Sequence, residues 1–319
     1  MKNKLIPILC VVLALAIGLT VYFTRDTSDP LDTEELFREN VAKVAYENTI
    51  EKATPQTELY NVIKSHFKSE LPKGKTEKKA IILGFDGCRA DILAEMKKEE
   101  SGISLLLEDG ASLDLLYCGG VNYPEKNTQK TSTAPGWCSI LTGQWADVHG
   151  ITANDIVKEV EPKTLLTSLV ENEVIDSSSF ITKWAGHFDR KKATYNAEKA
   201  YCEEKGLNVA FNKLDNDEAS YNYTLEEVKK ADCADFIFAI YEPTDSAGHG
   251  KDFSFNNPSY KEAFLKEDKY AFDTINAIRD RDTFDKEDWL IIITSDHGGI
   301  DDGHGGASIQ ERMTFAVVL

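Results

Sequence analysis

No two of the six cysteines stand at the CxxC spacing of a zinc–thiolate site. Cys10, Cys88, Cys118, Cys138, Cys202 and Cys233 are scattered along 319 residues, which argues against such a site. Positive charge is also scarce. With 36 Lys and Arg against 54 Asp and Glu, the formal net charge is −18. A chain without a basic groove repels a phosphate polymer, so no nucleic-acid polymer is expected as a partner. A small phosphate ester is not excluded, because bound divalent cations reverse the local field. Internal repeats and low-complexity tracts are absent. The balance of 42% apolar and 28% charged residues is that of an ordinary globular protein and argues against wholesale disorder.

The amino terminus bears on the compartment. Lys2 and Lys4 precede an uncharged stretch from Leu5 to Phe23, with Arg25 and Asp26 beyond it. Roughly 19 apolar residues are enough to cross a bilayer and long for a cleaved signal core. The flanking charge favours a cytoplasmic amino terminus. Residues 1–26 are therefore expected to be a signal anchor, or a signal peptide if cleaved, with the bulk of the chain outside the cytoplasm. That setting permits disulfides, for which Cys202 with Cys233 and Cys118 with Cys138 are the candidate pairs. Residues 27–78 read as a helical leader and linker. Asp32 and Glu35 there have capping-box spacing, and a second short helix is expected over Glu58 to Lys68.

From Lys79 the pattern changes. Ala80–Phe85, Phe180–Lys183, Phe236–Tyr241, Leu290–Thr294 and Phe315–Leu319 are short continuous apolar runs, as strands buried on both faces require. Helical spacing covers Thr164–Glu171, Ala193–Lys205, Thr224–Lys230 and Tyr260–Arg281. This alternation predicts an α/β domain over 79–319, a doubly wound and mostly parallel sheet flanked by helices.

Six potential metal ligands sit in four places on this frame: Asp86, the Asp245/His249 pair, Asp296 with His297, and His304. Asp86, Asp296 and the Asp245/His249 pair follow strand-like runs, which puts them at the carboxyl edge, where open α/β sheets bind ligands. Carboxylate oxygen and neutral imidazole suit borderline ions such as zinc. Six ligands exceed one tetrahedral ion and suit two ions sharing a cleft, so a two-metal hydrolase is expected. A nucleophile is expected in the segment TSTAPGWCSILTG. Pro135 suits the first turn of a helix, and a hydroxyl at a helix amino terminus meets free N–H groups and the positive dipole end. Thr131, Ser132 and Thr133 all meet that description.

Four motifs then resemble the alkaline phosphatase superfamily, and most closely its nucleotide pyrophosphatase/phosphodiesterase branch. Thr133, Pro135, Thr142 and Gly143 match its nucleophile segment, followed by His149, Gly150, Ile151 and Asn154. Asp86-Gly87 matches its first metal motif, Asp245 with His249 its D-x-x-x-H, and Ser295 to Gly298 its S-D-H-G. The resemblance implies Thr133 as nucleophile, Asn154 as a donor to a phosphate oxygen, and two zinc ions. One would be held by Asp245, His249 and His304, the other by Asp86, Asp296, His297 and Thr133. It further implies a phospho-threonine intermediate and a nucleotide or similar diester as substrate. One departure stands out. The family's last histidine ligand lies far beyond S-D-H-G, whereas His304 follows His297 by only seven positions, with Asp301 or Asp302 as the alternative ligand.

Bland readings apply to the other candidates. His66 is expected to be a solvated helix residue, His149 a structural turn residue, and His187 either a pocket or a surface-loop residue. Cys88 is expected to open a helix rather than react. Tyr123, Trp137 and Tyr241 could stack on a base, although aromatics near strand ends are more often core. Within the superfamily a phosphomonoesterase is the nearest rival, with Arg89 and Lys183 as the cations for its extra oxygen. A sulfatase is excluded, because Cys138 is not followed by the C-x-P-x-R frame. A membrane-anchored head-group transferase and a non-catalytic envelope protein complete the alternatives.

Overall fold

Every apolar position from Ala80 to Phe85 is buried, which only a strand covered on both faces can achieve. That strand is β2, Glu77–Phe85, at the centre of the computed structural model, which describes residues 53–120, 129–155, 160 and 162–319. The other strands are β1 (Thr54–Pro55), β3 (Ser112–Tyr117), β4 (Ser178–Thr182), β5 (Val209–Lys213), β6 (Phe236–Tyr241), β7 (Glu287–Thr294) and β8 (Met313–Val318). They form one eight-stranded sheet in the order β1-β3-β8-β7-β2-β6-β4-β5. All pairings are parallel except those of β8 with β3 and β7. The sheet is mixed, flanked by helices, and mostly parallel.

Side-chain alternation sends successive residues to opposite faces. Ala80, Ile82, Phe236, Phe238, Ile240, Leu290 and Ile292 pack in one cluster with the helices Glu58–Lys68, Thr133–Thr142 and Leu165–Glu171. On the other face lies the 22-residue helix Pro258–Arg279, started by Pro258 after an Asn257 cap that accepts from the Ser259 N–H. Its buried residues recur at helical spacing, from Tyr260, Ala263 and Phe264 to Ile275 and Ile278. That spacing is the apolar stripe a sheet-covering helix needs.

Several expectations change here. Helix Glu58–Lys68 is not part of a spacer: Leu59, Ile63 and Phe67 enter the core, and β1 pairs with β3. Its apolar residues fall at i, i+4 and i+8, a stripe that buries itself wherever a sheet is at hand. Neither candidate disulfide forms. Cys88, Cys118, Cys138, Cys202 and Cys233 are all buried free thiols. The apolar amino-terminal stretch, Cys10, the 27–52 part of the leader and Tyr123 lie outside the described residues. Among the described residues no helix is long and apolar enough to cross a membrane.

Candidate active site

The three neighbouring strands β7, β2 and β6 end side by side, and each delivers part of one constellation. Asp86 is the first residue past β2, and its N–H donates to the last carbonyl of β6, on Tyr241, at 2.8 Å. Asp296 and His297 follow β7 directly. Beyond β6 a helix opens at Pro243 and runs to Gly250, so that Asp245 and His249, four residues apart, share one of its faces. His304 arrives from the loop after His297.

Hydrogen bonds fix these turns. Thr244 Oγ1 donates to the Asp86 carbonyl at 2.6 Å. The Gly87 N–H donates to Asp296 Oδ1 at 3.2 Å and the Cys88 N–H to Ser295 Oγ at 3.0 Å. Buried Tyr260 staples the same loop, donating to the Gly87 carbonyl at 2.6 Å and accepting from the Arg89 N–H at 2.9 Å.

The result is two adjacent trios, Asp86/Asp296/His297 and Asp245/His249/His304, whose ligand atoms lie within 4.8 Å of one another in each group. The first trio is buried; the second opens to solvent through His249, 46% exposed. The His297 and His304 rings link them, with centroids 4.1 Å apart. Asp301 and Asp302 are exposed, and Asp302 contributes its backbone carbonyl rather than its carboxylate. Thr133 Oγ1 stands at the edge of the inner trio, 3.3 Å from Asp86 Oδ1 and 3.5 Å from His297 Nε2. It is the first residue of helix Thr133–Thr142, with Ser132 at the N-cap position and no side-chain cap bond. Asn154 lies against the same helix start: its Oδ1 accepts the Ala134 N–H at 2.8 Å, which leaves its NH2 as a donor.

Three observations show that this donor set fits divalent cations. All three imidazoles place Nδ1 on a backbone carbonyl, His249 on Asp302 and His304 on Thr131 at 2.9 Å, and His297 on Gly298 at 2.8 Å. A carbonyl only accepts, so Nδ1 carries a proton in each ring and Nε2 is the atom turned toward the site. The His304 and His249 Nε2 atoms face each other at 3.1 Å, a contact that either a proton or a bound cation satisfies. Finally, Asp245 Oδ1 and Asp296 Oδ2 are buried without a hydrogen-bond partner.

Electrostatics point the same way. Burial and then the neighbouring Asp86 charge push Asp296 well above the ordinary carboxylate range, Asp245 up to about 6 and Glu242 up to about 9. Burial opposes ionisation of Asp86 as well, yet hydrogen bonds and charge from His297, with the Trp137 N–H, hold its carboxyl below that range. Burial alone would depress His297, but Asp296 and Asp86 outweigh it and raise the imidazole to about 10. His304 falls to about 3 through burial and repulsion by His297. Crowded carboxylates of this kind attract positive charge.

The remaining candidates take structural places. Trp137 is fully buried and no stacking platform. Its Nε1 donates to Asp86 Oδ2 at 2.9 Å, an anchoring role that no spacing in the sequence signals. Its indole can lie there because β2 carries Gly84, where a Cβ would meet the ring at 2.5 Å. Tyr241 is core. His149 bonds Ser139 and the Ile151 N–H as a turn residue. His187 is neither pocket wall nor surface loop but fully buried against Phe180, Trp184 and Tyr195. His66 is half-buried, with Nε2 3.0 Å from the Lys79 carbonyl. Burial pushes the Cys88 thiol far up, which makes it a poor nucleophile. Arg89 is locked onto Asp91 and the Phe253 carbonyl, and Lys183 onto Asp217 at 2.7 Å and Glu242 at 3.6 Å. Neither is free for a substrate oxygen.

Known proteins share parts of this sequence and fold. The family model described as type I phosphodiesterase / nucleotide pyrophosphatase matches residues 80–302. A bis(5'-adenosyl)-triphosphatase of Xenopus laevis (enpp4) is 25% identical over 245 residues, 72% of this chain and 49% of that protein. The chain thus spans about half the length of that relative. Among solved structures, murine ectonucleotide pyrophosphatase/phosphodiesterase 5 in complex with AMP aligns at 17% identity over 70% of this chain and 57% of that one, with a TM-score of 0.46. Alkaline phosphatase of the Antarctic bacterium TAB5 aligns at 14% identity over 77% and 92%, also at 0.46.

Proposed function

The chain belongs to the type I phosphodiesterase / nucleotide pyrophosphatase family, and on that premise we propose that it hydrolyses phosphodiester or pyrophosphate bonds of nucleotide-type substrates through a phospho-Thr133 intermediate. One observation carries the reading: a helix-start hydroxyl stands beside two Asp/His trios. Asp86, Asp296, His297 and Thr133 would hold one divalent ion and Asp245, His249 and His304 a second, with zinc the best match to this oxygen and imidazole donor set. When bound, such ions lower the pKa of a coordinated hydroxyl and neutralise charge on a departing oxygen.

The chain's own groups account for the rest. Thr133 Oγ1 already donates toward Asp86 Oδ1, so its proton leaves in that direction as the oxygen attacks phosphorus. The bond from phosphorus to the leaving oxygen breaks, and that oxygen takes up a proton. Water then attacks the phospho-threonine, and Thr133 leaves as the hydroxyl. The Asn154 NH2 binds a non-bridging oxygen, and the helix start adds its dipole. A diester suits this site better than a monoester, because both cations named for an extra oxygen are locked in ion pairs. We further propose that residues 1–26 anchor the chain with this domain outside the cytoplasm. The relative that carries the bis(5'-adenosyl)-triphosphatase name supports a nucleotide substrate.

Assays on bis-p-nitrophenyl phosphate and p-nitrophenyl phosphate, with and without zinc, test the reading. The diester is expected to turn over faster and only with metal. Thr133→Ala is expected to lose activity by about a thousandfold or more while keeping its metals. An active Thr133→Ala enzyme would move the nucleophile elsewhere.

A further inference from the structure

Arg190 is the cation that the sequence motifs pass over. It lies in the loop after β4, at the end of KWAGHFDR, and its guanidinium rests 5.1 Å from the Trp184 ring. Nη2 donates to the backbone carbonyl of Asn154 at 3.0 Å and Nε to the Lys192 carbonyl at 3.1 Å. Asn154 is the residue whose side chain sits on the Ala134 N–H, next to Thr133. Arg190 therefore bonds the backbone of the residue whose amide is proposed to bind a non-bridging oxygen.

Its surroundings distinguish it from the other cations named above. Arg89 and Lys183 are neutralised by Asp91 and by Asp217 with Glu242. Arg190 has no carboxylate partner among the described residues, is exposed, and commits two of a guanidinium's roughly five donors to carbonyls. The indole beneath it and the two carbonyls hold the fork in place, which lowers the entropy lost when an anion binds. The loop is built for this. Gly186 carries no Cβ, and one placed there would meet the Trp184 ring at 2.2 Å, so glycine lets the indole pack against this backbone within 5.1 Å of Arg190.

We infer that Arg190, laid on Trp184 beside Asn154, selects substrates that carry a second anionic group next to the phosphorus under attack. This inference rests on the hydrolase reading above. The Arg190 guanidinium bonds the Asn154 backbone carbonyl rather than the Asn154 amide, which suits an anion next to the reacting phosphorus rather than one of that phosphorus's own oxygens. Nucleoside polyphosphates and dinucleoside polyphosphates have that pattern; simple aryl or alkyl diesters do not.

The test compares kcat/KM for diadenosine triphosphate and for bis-p-nitrophenyl phosphate in the full-length wild type, Arg190→Met and Arg190→Lys. A charge-assisted hydrogen bond confined to one substrate predicts a roughly ten- to hundredfold fall in the triphosphate-to-diester ratio for Arg190→Met. The fall should appear mostly in KM, with part of the ratio regained by Arg190→Lys. An equal loss on both substrates would show that Arg190 only supports the Asn154 loop, and no loss on either would show that it is a bystander; both overturn the inference. A wild type inert toward both esters with metals bound sinks the hydrolase reading itself, and the inference with it.

Discussion

Asp86 depends on a neighbour that looks like filler. Trp137 occupies the core between helix Thr133–Thr142 and β2, yet its one polar side-chain atom ends on Asp86 Oδ2. Trp137→Phe keeps most of the buried area and removes that bond. Outer hydrogen bonds to a metal-binding carboxylate are worth about ten- to a hundredfold in affinity. The variant is expected to stay folded and to bind zinc about tenfold more weakly, measured by competition with a chromophoric chelator; unchanged affinity would make the contact incidental. At this scale the residues of the two Asp/His trios were readable as candidates, because Asp and His at strand ends are chemically conspicuous and their order matched a known pattern. Trp137, Thr244 and Tyr260 were not readable. Each acts through hydrogen bonds from a residue type that is ordinary in a core. Arg190 falls between motifs and acquires its setting only through the fold.

The central strands β2, β6 and β7 were legible as apolar runs because helices cover both of their faces. Strand β3 and the edge strand β5 carry exposed or half-buried residues at most positions, so they present no such run and went unseen. Helix Pro243–Gly250 was hidden for another reason. Its sequence, PTDSAGHG, contains poor helix formers, and it is held by tertiary bonds, including Thr244 to buried Glu267 at 2.9 Å. Helix Gly102–Glu108 is also tied from outside: Asp268, on the long helix, accepts the Ile103 N–H at 2.9 Å.

Burial raises the Asp268 carboxyl from an ordinary 3.8 to about 6, against the opposing bonds from Ser101 and the Ile103 N–H. The folded state therefore holds this proton more tightly than the unfolded chain. The associated stability is present at low pH and is lost as pH rises from about 4 through about 6. Asp268→Asn has no such titration. Its stability relative to wild type, followed by urea unfolding, should rise by on the order of 2 kcal/mol between pH 4 and pH 7. A difference that stays flat with pH would contradict this account.

Over the whole molecule, acidic charge is concentrated where three parallel strands end. The Asp86 charge raises the proton affinity of Asp245, Asp296 and Glu242 there, a repulsion that bound cations would relieve. Ions present at about a hundred times their dissociation constant stabilise a folded protein by roughly 2.7 kcal/mol. Stripping them with a chelator should lower Tm by roughly 5 to 10 °C, reversibly on adding zinc; an unmoved Tm would mean that the trios hold nothing. The α/β class and the convergence of its strand-end residues were legible at this scale, because the order of elements largely dictates topology. The inclusion of residues 54–68 in the folded body was not, since only a sheet already in place gives that helix somewhere to pack.

The most direct test is an anomalous diffraction map of zinc-loaded crystals at the zinc edge. Two peaks roughly 3.5–4 Å apart are predicted, one within about 2.2 Å of ligand atoms of Asp86, Asp296 and His297, the other equally close to Asp245, His249 and His304. Thr133 should border the first. A single peak, or peaks away from these six side chains, would contradict the account.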